Sequence, residues 1–529
     1  MNSAPPEPMN EEARQLLDRL VAIDTTNIED PSHHRIEKRN YSRAASFLEQ
    51  VSRERGLRAR IWDAREELPG GRERFAEPRP NVIVELDHGM PRWLLILAHF
   101  DVVPVPEEQL GRWKSPPHTL TRRSDGRYYG RGAADDLGSG VVPGLLALTQ
   151  LHQLPSVPAN VRLLICGDEE TGGMGGIEAL REHDHALPPG HPDRLLTAEM
   201  ALIPDGSPYV AAGSSGVSFV DVRVPSGARV SEFLRVSESL TAFREVASGW
   251  TSKLPAPPEP SGPPPSPHIL GRATPTLEHL DTAGPASGTV RLQHIHSNSD
   301  AGNQIPATVT LTFSANGPER DRVRSFFSGA VRSPYHLDFR EAGDALTVEV
   351  VGSSGHGGYP HRANNPVPEA TRLLIEAIHT GTLPDGEVGA GTMTLDLRSP
   401  PEMVAQQALD IFQNYFRRIE DEVPGTRAEV PPGRERSGYF ISPDHPRVRA
   451  LQKIYEEVSG HPIGIYGEYG GTDASALREI TTPAGQPLPV VVLGGMDAQA
   501  HIHDAEESID PRYLDEVTRL LVRWVRSFA

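Results

Sequence analysis

Trp93-Leu94-Leu95-Ile96-Leu97-Ala98 is an unbroken apolar run that ends in His99-Phe100-Asp101-Val102-Val103-Pro104. Such a run suits a strand buried on both faces, as the inner strands of an α/β sheet are. A histidine and an aspartate directly after it stand where such a sheet offers its loops to a ligand. The pattern returns twice. Val161-Arg162-Leu163-Leu164-Ile165-Cys166 runs into Gly167-Asp168-Glu169-Glu170, and Ala201-Leu202-Ile203-Pro204 runs into Asp205. Asn81 to Leu86 adds a further strand, and Val141 to Leu151 and Gly176 to Arg181 read as helices between strands. Upstream, Leu16, Leu17, Leu20 and Val21, then Ala44, Phe47, Leu48 and Val51, recur at helical spacing. This alternation predicts an α/β domain with helices on both faces of its sheet.

From about Gly216 the texture changes to alternating, strand-like segments: Val217 to Val224, Thr289 to His294, Ala307 to Phe313, Leu346 to Val351 and Gly391 to Leu397. They predict a second domain of α+β character. Within it, Pro255 to Pro267 is almost wholly Pro, Ser, Gly and Glu, a composition that builds no core, and it is expected to project as a mobile loop without chemistry. The first texture returns with a helix at Arg447 to Val458, a strand at Pro489 to Leu493 and a closing helix at Tyr513 to Phe528. The expected organisation is a catalytic domain in two parts, residues 1–215 and 441–529, with residues 216–440 inserted as a lid.

At 529 residues, two or more domains are the starting expectation. The formal net charge of -19 (71 acidic against 52 basic side chains) argues against a nucleic-acid or anionic-membrane face, since either would need a basic surface. The only cysteine, Cys166, excludes an intramolecular disulfide and reads as a buried strand residue. Neither a leader pattern at Met1 to Glu12 nor an apolar stretch near the roughly 18 residues of a membrane span is found. The expected location is the cytoplasm.

Five clusters of acidic residues and histidine follow strands or lie in loops: His99-Phe100-Asp101, Asp135-Asp136, Asp168-Glu169-Glu170, Asp205 and His503. Each alone reads most simply as surface. Together, two imidazoles and three carboxylates are a sufficient ligand set for two zinc-like ions, with one carboxylate bridging. The doublet Glu169-Glu170 can supply both a metal ligand and a base that takes the proton of the attacking water.

The order and surroundings of these residues resemble metallopeptidase family twenty of clan MH, the aminoacylase, carboxypeptidase G and dipeptidase V group. The resemblance covers nearly the whole chain and is nearest to the dipeptidase V branch. His99-Phe100-Asp101-Val102-Val103-Pro104 is similar to H-x-D-V-V-P, which implies His99 as a metal ligand and Asp101 as the carboxylate that orients it. Gly130-Arg131-Gly132-Ala133-Ala134-Asp135-Asp136 is similar to G-R-G-x-x-D-D/M-K-G, which implies Asp135 as the bridging ligand and a cis peptide between Asp135 and Asp136; Leu137 stands in place of the usual Lys. The same resemblance implies Glu169 as general base, Glu170 as ligand of one ion and Asp205 as ligand of the other with His99. His503, in a segment similar to H-x-x-N-E with Glu506 for Asn, is the last implied ligand, preferred over His501 for its downstream spacing.

In the insertion, Gly355-His356-Gly357-Gly358-Tyr359-Pro360 resembles G-H-x-x-x-P, whose His donates to the carbonyl oxygen as it becomes an oxyanion. Asn303-Gln304-Ile305-Pro306 and Leu397-Arg398-Ser399-Pro400 resemble the N-x-V-P and R-Y-P of the dipeptidase V branch, and Gly470-Gly471-Thr472-Asp473-Ala474 is similar to its Gly-rich substrate loop. The resemblance thus implies a phosphorylase/hydrolase-like zinc-peptidase catalytic domain, of mixed sheet with helices on both faces, carrying a large tandem lid. His356 and Asn303 would act within the same chain, Arg398 would bind a substrate carboxylate bidentately, and Gly471 and Thr472 would face that carboxylate. The implied cofactors are two divalent ions, Zn with Co or Mn as substitutes. A monomer would suffice, and a homodimer is compatible. The expected reaction is hydrolysis of dipeptides. Its rivals are a deacylase of N-acetyl- or N-succinyl-amino acids, which shares the metal chemistry, and a metal-free binding protein on the same fold. No G-x-S-x-G elbow is found, which disfavours a serine hydrolase.

Overall fold

The computed structural model describes residues 7–30, 35–105, 107–135, 137–259, 266–283, 290–297, 304–357, 359–431 and 434–529. Two nine-stranded sheets organise the chain, each with its own hydrophobic core. The first sheet runs Tyr439–Phe440, Val210–Ser214, Val490–Val492, Ala201–Ile203, Trp93–His99, Asn160–Cys166, Pro80–Leu86 and Arg58–Asp63, with Ile465–Glu468 paired to Val210–Ser214. It is mixed. Trp93–His99 lies parallel to Asn160–Cys166 and to Ala201–Ile203, and Val490–Val492 lies parallel to Ala201–Ile203; Pro80–Leu86 is antiparallel to both its neighbours, and Val210–Ser214 is antiparallel to Val490–Val492 and Tyr439–Phe440 but parallel to Ile465–Glu468. Parallel neighbours bring their carboxyl ends to one edge, and His99 is in register with Cys166 there.

The apolar runs fill these strands because both sheet faces are covered: every residue of Asn160–Cys166 is buried. Helices Glu11–Val21, Val142–His152 and Pro511–Arg526 pack together, and Tyr41–Glu54 lies against Arg58–Asp63 and Pro80–Leu86. The closing helix turns Leu514, Val517, Leu520, Leu521, Trp524 and Val525 inward at helical spacing and its arginines outward. Cys166 is buried and unpaired.

The second sheet runs His336–Ala342, Ala345–Val351, Thr308–Ala315, Val290–Ser297, Arg272–Ala283, Glu387–Ser399, Gly216–Val224 and Arg427–Glu429, with Glu435–Arg436 also on Gly216–Val224. Its pairs are antiparallel. In Thr308–Ala315 buried and half-buried residues alternate, the mark of a sheet with one covered face. Val230–Ser248, Gly317–Ala330, Pro366–His379 and Ala405–Glu422 supply the cover.

The chain crosses between the domains at two adjacent points, near Gly216 and near Gly438. A Cβ on Gly216 would lie 2.9 Å from the Gly438 nitrogen, and one on Gly438 would meet the Ser214 carbonyl, so neither position has room for a side chain. The boundary expected after residue 440 falls before Tyr439. Tyr439–Phe440 pairs with Val210–Ser214, and Tyr439 is buried in the first core with its hydroxyl donating to the Ala211 carbonyl at 2.8 Å. The stretch is too short for its periodicity to announce a change of sheet. The Pro-rich segment begins and ends in the short strands Thr251–Pro255 and His268–Leu270, which pair with each other; residues 260–265 lie outside the described residues. Among the described residues no helix is long and apolar enough to cross a membrane.

Candidate active site

The carboxyl edge of the first sheet gathers the acidic and imidazole groups. His503 Nε2 lies 2.7 Å from Asp135 Oδ2 and 3.1 Å from Glu170 Oε1, and one ligand atom from each of these residues falls within 4.8 Å of the others. His99 Nε2 lies 3.7 Å from Asp205 Oδ2. Asp135, although burial opposes its charge, is held low by His503 and His99. His501, the alternative to His503, is exposed and outside this cluster.

Electrostatics mark the site as one that lacks balance without a cation. Burial, together with repulsion from Asp135 and Glu170, pushes Asp205 up to about 7 even against His99. Burial likewise raises Glu170. His503 moves the other way: burial opposes its charge, but Glu170 and Asp135 hold it well above the ordinary imidazole range. Three carboxylates and two imidazoles, crowded and partly desolvated, are the donor set that borderline divalent ions take, so the residues fit such ions.

Around these groups lies a scaffold of ion pairs. Asp101, fully buried, has Oδ1 3.4 Å from His99 Nδ1 and accepts from Asn27 Nδ2 at 2.7 Å and from the backbone N–H groups of Glu169 and Glu170 at 3.1 Å each. It therefore ties the His99 strand to the glutamate turn. Asp168 opens that turn with φ 73°, a left-handed conformation that side chains disfavour. Its carboxylate is clamped by Lys38 Nζ at 3.1 Å, Arg79 Nε at 3.1 Å and the Gly175 N–H at 3.1 Å. Glu507 does the same for the Asp135 turn. Its carboxylate accepts from Arg131 Nη1 at 2.8 Å and from the N–H groups of Gly132, Ala134 and Asp135 at 3.0, 3.0 and 3.2 Å.

The two departures from the family pattern find places in the structure. Leu137 is buried and sits against Gly132, where a Cβ would come within 3.1 Å of its side chain. Glu506 turns to the rim, pairs with Arg123 and accepts from the Lys114 N–H at 2.8 Å; Arg123 holds its carboxyl down at about 2.

Glu169 stands beside this cluster. Burial, with Asp473 adding repulsion, raises its carboxyl well above the usual range. Arg436 Nη1 lies 3.7 Å from Glu169 Oε1 and 3.3 Å from Asp473 Oδ1. Lys38, Arg79, Glu507 and Arg436 carry no role in the sequence reading. Each acts through a partner far along the chain, so no local spacing marks it; only the nearness of Glu507 to His503 and of Asp473 to Gly471 offered a hint.

The lid also touches the catalytic domain. Tyr359, in the loop after His356, donates from its hydroxyl to Glu468 Oε2 at 2.8 Å, and Tyr209 donates to the other Glu468 oxygen. The loop thus docks on the catalytic domain of its own chain. Gly355–His356 pairs with Gln304–Ile305. Asn303, Asp136 with its expected cis peptide, and the His356 side chain lie outside the described residues.

Arg398 differs from expectation. It is buried, and its fork already holds Asp396, with Nε–Oδ1 at 2.6 Å and Nη2–Oδ2 at 2.9 Å. Its Nη1 edge faces the Gly-rich loop, where a Cβ on Gly471 would lie 4.0 Å away. Thr472 caps the short turn Asp473–Leu477, its hydroxyl accepting from the Ala474 N–H at 3.4 Å.

Comparison with known proteins identifies the family and the fold. Residues 95–527 match the family described as Peptidase family M20/M25/M40. A cysteinylglycine-S-conjugate dipeptidase of Corynebacterium striatum is 34% identical over 427 residues, covering 80% of this chain and 78% of that protein. An uncharacterized metallohydrolase of Methanocaldococcus jannaschii is 27% identical over 158 residues, 29% of this chain and 36% of that one. Among solved structures, human carnosine dipeptidase 1 shares the fold with a TM-score of 0.55 at 16% identity, over 98% of this chain and 97% of that one. A metallo-carboxypeptidase of Sulfolobus solfataricus does so with a TM-score of 0.56 at 14% identity, over 98% and 99%.

Proposed function

The chain belongs to Peptidase family M20/M25/M40 and is a hydrolase, and from that premise we propose that it cleaves the amide bond of dipeptides at a two-metal centre. One observation carries the proposal: imidazoles and carboxylates from five separate segments meet at the strand ends, with a further carboxylate, Glu169, beside them. The 34% identity to a dipeptidase over most of both chains supports the substrate class.

His99, Asp135, Glu170, Asp205 and His503 would hold the ions, with Asp135 shared. When bound, two divalent ions, Zn or in its place Co or Mn, polarise a carbonyl and make a water nucleophilic at neutral pH. Glu169 takes the proton of the attacking water and returns it to the departing amine. Its raised pKa suits both halves of that task. Asp101 fixes the ring of His99, His356 donates to the developing oxyanion, and Asn303 assists from the neighbouring segment. The substrate carboxylate lies against Gly471, Thr472 and the Nη1 edge of Arg398, whose Asp396 partner holds the guanidinium in place. Docking of the lid loop through Tyr359 and Glu468 closes the site against water.

The test is to strip the metal from the purified protein, restore zinc, cobalt or manganese in steps, and follow bound metal and dipeptide hydrolysis together. Activity returning with two ions per chain supports the proposal. Two bound ions with intact dipeptides and cleaved N-acetyl- or N-succinyl-amino acids would move the assignment to a deacylase.

A further inference from the structure

Arg436 stands on the last strand of the lid, Glu435–Arg436, two residues before the Gly438 crossing, yet its side chain points into the catalytic domain. Its Nη1 is 3.7 Å from Glu169 and 3.3 Å from Asp473, and Nε and Nη2 are buried without a hydrogen-bond partner. Leaving buried donors unmade is a poor way to gain stability, so a buried cation kept in this state points to a role at the site. The turn after Glu170 is shaped to receive it: a Cβ on Gly173 would lie 2.5 Å from Arg436 Nη2. Asp473 completes the arrangement, its Oδ1 buried and, among the described residues, engaged by this ion pair without a hydrogen-bond donor.

We propose that Arg436 is a positioning residue for Glu169: held by Asp473, it fixes one oxygen of the Glu169 carboxylate from the hinge strand of the lid and leaves the other for the attacking water. Arg436 touches neither the reacting bond nor the ions. Because it belongs to the lid strand that leads into the crossing, a shift of the lid is passed to the base directly. The proposal rests on Glu169 as the base, and a Glu169→Gln enzyme that kept its turnover would remove that reading whatever Arg436 does.

The experiment uses the full-length, metal-loaded protein and the variants Arg436→Ala, Arg436→Lys and Asp473→Asn. Displacing a reacting group by about 1 Å costs on the order of a hundredfold, so Arg436→Ala is expected to lower kcat by about tenfold to a hundredfold with KM for a dipeptide unchanged within about twofold. Arg436→Lys should recover part of the rate, as should methylguanidine added to Arg436→Ala. Asp473→Asn, which keeps the shape of the site, should show a smaller fall in kcat. Metal content and melting temperature of the lysine and asparagine variants should stay at the parent values. A rise in KM with kcat intact would make Arg436 a substrate-binding group instead. Unchanged kinetics in all three variants, or loss of metal in the lysine and asparagine variants in step with activity, would overturn the proposal.

Discussion

Two segments of the active site bend through left-handed backbone at residues other than glycine, and they are held in different ways. The inner turn has Asp168 at φ 73°, with its carboxylate buried between Lys38 and Arg79. The outer loop has His501, His503 and Glu506 at φ 50°, 61° and 68°; Glu506 itself pairs at the rim with Arg123, and the buried anchor is its neighbour Glu507, held by Arg131. Strain in the interior is fixed by desolvated charges that cannot be removed singly. In the outer loop the strained residues lie before the buried anchor, and the pair made by one of them, Glu506, is at the rim. Glu170 therefore sits two residues from a buried clamp, while His503, 29% exposed, sits four residues from one.

Four substitutions sharpen this contrast, from the largest effect to the smallest. Glu169→Gln, in the inner turn, should keep metal content but reduce kcat by about 10²–10⁴-fold, the usual contribution of a proton-transferring group. Steady-state rates with metal analysis check this. Asp168→Asn leaves two buried cations underpaired and should cost about 3–5 kcal/mol in denaturant unfolding. If it costs under about 1 kcal/mol, the size of an exposed pair, the buttress is not what holds the turn. Glu507→Gln removes the charge that gathers three backbone N–H groups and Arg131, and should weaken metal affinity by about 10–100-fold, read by competition with a chelator. Glu506→Gln should change kcat little and stability by about 0–1 kcal/mol. Its pH dependence has a definite sign. The folded carboxyl is depressed from 4.5 to about 2, so its contribution is present above pH 4.5 and fades as pH falls toward 2. The difference between parent and Glu506→Gln stability should shrink over that window.

The sequence disclosed some layers better than others. Strands such as Trp93–His99 and Asn160–Cys166 are legible because burial on both faces demands an unbroken apolar run. His99, Glu170 and Asp205 are legible for a related reason, since each ends a strand or closely follows one, whereas Asp135 and His503 lie in loops and are legible only through their motifs. The lid helices were not read beyond an α+β texture. Val230–Ser248 mixes Val, Ser and Thr, residues that favour strands and turns as much as helices, and only packing on the sheet decides its form. Arg398 could be found by its motif but not its partner: Asp396 lies two residues away on the same strand face, and nothing in the spacing says whether that fork is free for a ligand. The pairs Lys38–Asp168 and Arg131–Glu507 join residues more than a hundred positions apart, where periodicity carries no information.

The paired crossing at Gly216 and Gly438 has a consequence for how this protein can change. Everything between those glycines leaves and rejoins the first sheet at one place, so the inserted domain resembles a cartridge set into a single slot. Lengthening a loop within it costs little, because closure entropy grows slowly with loop length. Replacing it whole would leave the strand ends that carry His99, Asp135, Glu170 and Asp205 untouched. Arg436 would be lost with it, so a transplanted cartridge would need its own means of holding Glu169.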